Sequence, residues 1–280
     1  IQAVGRLVTS GSDNTMLGYV AGSAITLGSE NTLIGSNAGA NLTQGVGNLI
    51  LGFKSAFNLN TGNYNIDLGY ESGYTQSVGD GNINIGYQSG YKNISASNNL
   101  NMGYQSGYSN ETGANNIHLG YQSGYTSTAS NNIFMGINSG LKNTVGTENI
   151  FIGTNTGQGN NINDEQIGNY NIFMGSNAGT KNRDGVKNIY LGANAGQENI
   201  SGAKNIFMGP NAGSQSTTSQ NIFIGNATDN SKGIGYQTSA NVGTGQYNVF
   251  VGTDVGIENT DGDYNIFCGY QAGKNNTGGT

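Results

Sequence analysis

The feature that most constrains this chain is an internal repeat of about seventeen residues. The pattern Asn-Ile-x-(Ile/Leu/Met)-Gly returns along the sequence, mostly at intervals of 17 residues, with two intervals of 16, one of 22 and one of 27. Its asparagines are residues 14, 31, 48, 65, 82, 99, 116, 132, 149, 171, 188, 205, 221, 248 and 265. A repeat of this length, with one short strand per turn, predicts a solenoid in which each coil contacts only its neighbours. We therefore expect an all-β, parallel β-solenoid of about sixteen coils.

The repeat divides the 280 residues into segments of one repeat domain. A partial coil is predicted at 1–13, regular coils at 14–148, a coil with an insertion at 149–170, and regular coils again at 171–220. A shortened coil and a degenerate one, in which Ser231 replaces the asparagine, are predicted at 221–247, and the final coils at 248–280.

Positions within a coil are numbered from the asparagine, which is position 1. Positions 2 and 4 are apolar in nearly every coil, as in Ile66 and Leu68, and alternate residues of a strand share one face. We therefore predict that positions 2 and 4 form the core and that position 3 faces outward. Position 5 is always glycine, which indicates a corner. Positions 6 to 10 read as a second short strand with a small inward residue, serine or alanine, at position 8.

Position 3 is large and apolar or aromatic in eleven of the sixteen coils. A strand that is apolar on both faces is normally buried on both faces, so position 3 is predicted to form a subunit interface along the rod. The predicted interface residues are Phe134, Phe151, Phe173, Tyr190, Phe207, Phe223, Phe250 and Phe267.

In four middle coils position 3 is polar, and tyrosine occupies positions 6 and 10 instead. This stripe is interpreted either as packing between side chains or subunits, or as a surface on which sugar rings stack. Its members are Tyr70, Tyr74, Tyr87, Tyr91, Tyr104, Tyr108, Tyr121 and Tyr125.

The asparagine of position 1 predicts a ladder of side-chain amides. Stacked at the strand spacing of about 4.8 Å, carboxamides hydrogen-bond along the column. The clearest members are Asn65, Asn82, Asn99, Asn116, Asn132 and Asn149.

Coils such as Asn65-Ile-Asp-Leu-Gly-Tyr-Glu-Ser-Gly-Tyr and Asn82-Ile-Asn-Ile-Gly-Tyr-Gln-Ser-Gly-Tyr resemble two related groups of repeats. One is the head domain of trimeric autotransporter adhesins, and the other is the repeat region of phage and large-virus tail fibres. The resemblance covers essentially the whole chain. It implies a left-handed β-roll and a homotrimer in which position 3 faces the partner chains. Position 3 is usually small in these families, whereas phenylalanine is frequent here.

The sequence favours a structural role over catalysis. A lone histidine, His118, supports neither a zinc site nor a catalytic triad, and Cys268 stands where other coils have a core hydrophobe. We expect no enzyme activity, cofactor or metal. The ten Lys and Arg are scattered and no apolar run approaches about 18 residues, so neither nucleic-acid binding nor membrane insertion is expected.

The leading functional prediction is the rod of an extracellular fibre, above all a viral tail or receptor-binding fibre used for surface attachment. Its partners would be copies of itself, as a homotrimer or stacked end to end, and a cell-surface receptor or glycan. The location would be extracellular, on a virion or a cell surface. The alternatives are a bacterial surface adhesin, a self-stacking extracellular filament, and a monomeric glycan- or ice-binding solenoid.

Overall fold

The structure, a computed structural model, is all-β and confirms the parallel β-solenoid. It describes residues 7–159, 168–225, 245–256, 258–259, 261–277 and 279. Within the described residues, fifteen strands of three residues each occupy positions 2 to 4 of their coils. They are β1 Thr15–Leu17, β2 Thr32–Ile34, β3 Leu49–Leu51, β4 Ile66–Leu68, β5 Ile83–Ile85, β6 Leu100–Met102, β7 Ile117–Leu119, β8 Ile133–Met135, β9 Ile150–Ile152, β10 Ile172–Met174, β11 Ile189–Leu191, β12 Ile206–Met208, β13 Ile222–Ile224, β14 Val249–Val251 and β15 Ile266–Cys268.

The chain divides into two units, residues 1–137 with β1–β8 and residues 138–280 with β9–β15. Within each unit, consecutive strands pair in parallel and in register, so that identical repeat positions face one another; Ile83 pairs with Leu100, for example. The register holds where the repeat is irregular. In the second unit β9 pairs with β10 across an interval of 22 residues, and β13 pairs directly with β14 across 27.

The direction of the strand side chains is the reverse of the prediction. Position 3 points into the coil and is buried, whereas positions 2 and 4 point outward and are half-buried or exposed. The predicted interface is therefore wrong, because these aromatic rings fill the interior of their own chain. Seven of its residues are at most 3% exposed and Phe267, in the last strand, is half-buried; the seven are Phe134, Phe151, Phe173, Tyr190, Phe207, Phe223 and Phe250.

A second glycine in each coil explains why position 3 faces inward. A Cβ atom at Gly157, at position 9, would lie 2.5 Å from the ring of Phe151, and one at Gly179 would lie equally close to Phe173. Wherever position 9 falls within the described residues it is glycine, except in the coil of Asn48, which has Ala56 there. The glycine thus provides the space that a large position-3 side chain needs inside a narrow coil.

Positions 6 to 10 form turns in place of the predicted second strand. Positions 7 and 9 adopt left-handed backbone, with φ of 50° at Gln88 and 58° at Gly90, which interrupts an extended conformation. The inward direction of position 8 is confirmed, since Ser72, Ser89 and Ala178 are fully buried. The tyrosines at position 6 are exposed, whereas position 3 is internal.

The composition of the core changes along the chain. In β1–β3 the interior is aliphatic, with Leu33 and Ile50 packed near Ile25, Leu42 and Leu59 of position 12. In β4–β7 position 3 is polar, and from β8 onward it is aromatic. The buried polar residues of position 3 are Asp67, Asn84, Asn101 and His118.

Three predicted features fall partly or wholly outside the described residues. Residues 1–6 of the initial partial coil are not described, nor are 160–167, which contain the predicted insertion. The degenerate coil around Ser231 falls within 226–244, which is likewise outside the description.

The position-5 glycines make a sharp prediction about packing between coils. Gly103 has φ +137°, and an added Cβ would lie 2.4 Å from the carbonyl oxygen of Gly120 in the next coil. Because the clashing atom is backbone, Gly103→Ala should lower the free energy of unfolding by about 3 kcal/mol or more. Urea denaturation followed by circular dichroism measures this change.

Gly269→Ala is the matched control. Gly269 has a similar backbone, φ +118°, but an added Cβ would meet nothing within 4 Å. It should therefore show only the backbone strain, about 1–3 kcal/mol. Equal losses in both variants would mean that the coils are not packed as closely as described.

Candidate functional site

The position-1 asparagines form the predicted ladder, and the structure confirms it. The side-chain oxygen of Asn82 accepts hydrogen bonds from the backbone nitrogen and the Nδ2 of Asn99, at 3.1 and 3.2 Å. Asn99 Nδ2 also donates to the carbonyl oxygen of Gly113, at the end of its own coil, at 2.9 Å. Each asparagine therefore closes its own coil and binds the neighbouring one.

All six asparagines named for the ladder are buried and take part in hydrogen bonds of this kind within their own unit. They are Asn65, Asn82, Asn99, Asn116, Asn132 and Asn149. The ladder is a structural element with no free face for a ligand.

The tyrosine stripe consists of two columns of stacked rings. The outer column continues from Phe53 through position 6, with ring centroids 5.1 to 5.3 Å apart; its tyrosines are Tyr70, Tyr87, Tyr104 and Tyr121. The inner column continues from Phe57 through position 10, with centroids 5.0 to 5.5 Å apart; its tyrosines are Tyr74, Tyr91, Tyr108 and Tyr125.

The stacking limits how these tyrosines can bind a ligand. Neighbouring tyrosine rings are within 11° of parallel, so each internal ring has both faces covered by its neighbours. A sugar that stacks on a ring face would find one only at the end of a column. Ring edges and hydroxyls remain accessible, since outer-column tyrosines are 41 to 48% exposed. Partial burial raises the pKa of Tyr91 and Tyr108, with nearby Glu71 contributing, so these hydroxyls stay protonated at neutral pH.

A second amide ladder lies between the two columns at position 7. Gln88 donates to Glu71 Oε2, Gln105 to Gln88, and Gln122 to Gln105, each at 3.0 Å. The tyrosine rings and these amides together make a regular surface of uncharged groups, with the Glu71 carboxylate at its first rung and the Lys92 ammonium 5.8 Å from the Tyr108 ring centroid.

The outward face of the sheet carries apolar side chains on every strand. Positions 2 and 4 place two adjacent columns of side chains on this face, and sequence reasoning assigned these residues to the core. Every one of these positions in β3–β14 is Ile, Leu, Val or Met, and none in β1–β15 is charged. Several are well exposed: Leu51 45%, Met102 37%, Met174 41%, Met208 37% and Ile224 38%. Continuous apolar surface of this kind marks a contact site.

The remaining chemistry-bearing residues do not form a reactive cluster in the described part of the chain. His118 lies in the interior, and Cys268 is exposed at position 4 of β15. Among the described residues there is no group of three or more His, Cys, Asp or Glu side chains arranged to hold a metal ion. Nor do those residues include a helix with the length and apolar character needed to cross a bilayer.

No family model matches the sequence, and no curated protein or solved structure matches it at the significance level applied.

The ladder makes a prediction about stability. Asn99→Ala would leave the buried backbone nitrogen of Asn116 without its partner, the side-chain oxygen of Asn99. It would also remove one of the two amide donors to the Gly113 carbonyl, which keeps Asn110 Nδ2. Because unpaired buried polar groups are costly, we expect a loss of about 2–4 kcal/mol in the free energy of unfolding.

Asn41→Ala serves as the control in the same denaturation experiment. The Asn41 side chain is exposed, and its Nδ2 bonds only the exposed Oδ1 of Asn58. Its removal should cost less than about 0.5 kcal/mol. A similar loss in both variants would contradict a stabilising role for the buried ladder.

Proposed function

We propose that this chain is a structural rod that associates side by side with copies of itself through the outward face of its sheet. The observation that carries the proposal is the pair of apolar columns at positions 2 and 4, which each of the two units has on its own strands. In this proposal the chain has no catalytic role. The outward face takes the place of the interface predicted at position 3, because the position-3 rings are already buried within one chain.

A second copy is the partner that best fits this face. The columns repeat at the spacing of one strand, about 4.8 Å, in every coil. A partner that covers them along their length needs apolar groups at the same spacing, and another copy of this repeat has them. The absence of charge at these positions also removes any electrostatic penalty for bringing two such faces together.

The handedness, the trimeric state, the location and the biological task are proposed from the sequence resemblance alone. The similarity to viral tail-fibre and adhesin-head repeats favours a left-handed homotrimer in an extracellular fibre, on a virion or a cell surface, with attachment as its task. A bacterial surface adhesin and a self-stacking filament fit the same outward face, since both need lateral or axial contact between copies.

Native mass from light scattering tests self-association directly. The chain mass is 28.9 kDa, so a trimer would have three times that mass, about 87 kDa. The double variant Ile85→Lys/Met208→Lys places one charge on the outward face of each unit without touching the interior. Because burying an unpaired charge is costly, we expect this variant to be a 28.9 kDa monomer with unchanged circular dichroism.

Ser95→Lys/Ser201→Lys is the matched control. Both serines are exposed at position 14, away from positions 2 and 4, so this variant should keep the mass of the unmodified protein. A monomeric unmodified protein would refute the assembly proposal, and so would a mass that both double variants lower equally.

A further inference from the structure

The polar interior of β4–β7 is a hydrogen-bonded chain with a defined direction. Asn84 Nδ2 donates to Asp67 Oδ1 at 2.7 Å, and Asn101 Nδ2 donates to Asn84 Oδ1 at 2.8 Å. His118 Nδ1 lies 2.8 Å from Asn101 Oδ1. Since that oxygen is an acceptor, Nδ1 carries the proton and donates. All four side chains are fully buried, and we call them the inner ladder.

The two ends of the inner ladder suit the layers that they contact. Asp67, the first residue of the inner ladder, is the strand partner of Ile50 in the aliphatic core. It has only to accept a hydrogen bond from Asn84, which a carboxyl group can do. An asparagine there would direct an amide group toward apolar side chains. His118, the last residue of the inner ladder, has only to donate a hydrogen bond to Asn101. The other side of its ring stacks on Phe134, with 5.4 Å between the ring centroids. Asp67 and His118 thus end the polar segment at its two junctions.

Each end has one buried polar atom with no hydrogen-bond partner in the described part of the chain, Asp67 Oδ2 and His118 Nε2. Burial raises the pKa of Asp67 to about 7, despite the opposing hydrogen bond from Asn84, and burial lowers the pKa of His118 to about 3. Both groups are therefore mainly neutral in the folded protein at mildly acidic pH.

The charged and titratable side chains of the surrounding coils lie at the surface. Those of the coils packed against the inner ladder are half-buried or exposed: Lys54, Tyr64, Tyr70, Glu71, Tyr74, Asp80, Tyr87, Tyr91, Lys92, Tyr104, Tyr108, Glu111, Tyr121, Tyr125, Lys142 and Glu148. None of them makes a hydrogen bond or ion pair with Asp67 or His118. Asp67 and His118 therefore titrate in an interior that these charged side chains do not enter.

We propose that Asp67 and His118 act as a compensating pair that keeps the stability of the β4–β7 segment nearly constant between mildly acidic and neutral pH. Both residues lie in the interior, so their titration does not depend on the proposed assembly through the outward face.

The compensation follows from the opposite signs of the two titrations. In the unfolded chain Asp67 has its ordinary pKa of 3.8. As pH rises from about 4 to 7, the unfolded chain ionises at this carboxyl group while the folded chain does not, so the free energy of unfolding falls. In the unfolded chain His118 has its ordinary pKa of 6.5. As pH falls from 6.5 toward 3, the unfolded chain gains a proton at this imidazole while the folded chain does not, so the free energy of unfolding again falls. Each effect changes the unfolding equilibrium constant about tenfold per pH unit, and between pH 4 and 6.5 they cancel.

Denaturant unfolding at pH 4.5 and 6.5 tests this cancellation. The variant Asp67→Asn keeps only the histidine of the pair. From pH 4.5 to pH 6.5 its unfolding equilibrium constant should fall roughly 50-fold, relative to a reference variant without either group. The variant His118→Gln keeps an amide donor and leaves only the carboxyl group, and its constant should rise roughly 50-fold.

The double variant Asp67→Asn/His118→Gln is the reference, because the other titratable groups contribute to it equally. It should have the same pH dependence as the unmodified protein. Opposite slopes in the two single variants support the proposal. Single variants whose slopes equal that of the double variant would overturn it.

NMR titration of the unmodified protein tests the same proposal if a variant does not fold. The His118 imidazole should show no protonation down to pH 4, and the Asp67 carboxyl should titrate near pH 7. Ordinary titration, near 6.5 for His118 or near 3.8 for Asp67, would overturn the compensation.

Discussion

The hydrogen bonds of the position-1 asparagine are the interaction on which the rest of the structure depends. In the regular 17-residue coils its amide nitrogen donates to a carbonyl of its own coil fourteen residues later, as Asn48 does to Gly62, and its oxygen accepts from the next asparagine. One side chain thus sets the circumference of a coil and fixes its register on the neighbour. The same pattern is kept across the irregular interval between Asn221 and Asn248.

Strict register means that like side chains stack on like, which determines what each column can contain. Aromatic rings, amides and aliphatic groups gain from stacking at about 4.8 Å, whereas charges of one sign at that spacing repel. Only 9% of the residues are charged, in agreement with this constraint. The interior is consequently built in blocks, aliphatic, polar and aromatic, with Asp67 and His118 at the junctions of the polar block.

Much of this fold follows from the sequence, because the repeat fixes the coil, the strand at positions 2 to 4 and the asparagine ladder. Alternation in a three-residue strand shows which residues share a face, but not which face is internal. Hydrophobicity gave the wrong direction for these side chains, since Ile83 and Ile85 face outward. Asn84 and Asn101 can lie in the interior because their amides hydrogen-bond each other between neighbouring coils. The informative signal was the glycine at position 9, which leaves room for a ring such as that of Phe151.

Cross-linking between adjacent coils tests the in-register stacking most directly. Ile83 and Leu100 are partners on neighbouring strands, and an interstrand spacing of about 4.8 Å suits a disulfide. In a Cys268→Ser background, the pair Ile83→Cys/Leu100→Cys should oxidise to a bond within one chain, identified by peptide mass mapping. The pair Ile83→Cys/Ile117→Cys, two coils apart, should not. Equal yields from both pairs, or no bond between positions 83 and 100, would contradict the stacked solenoid.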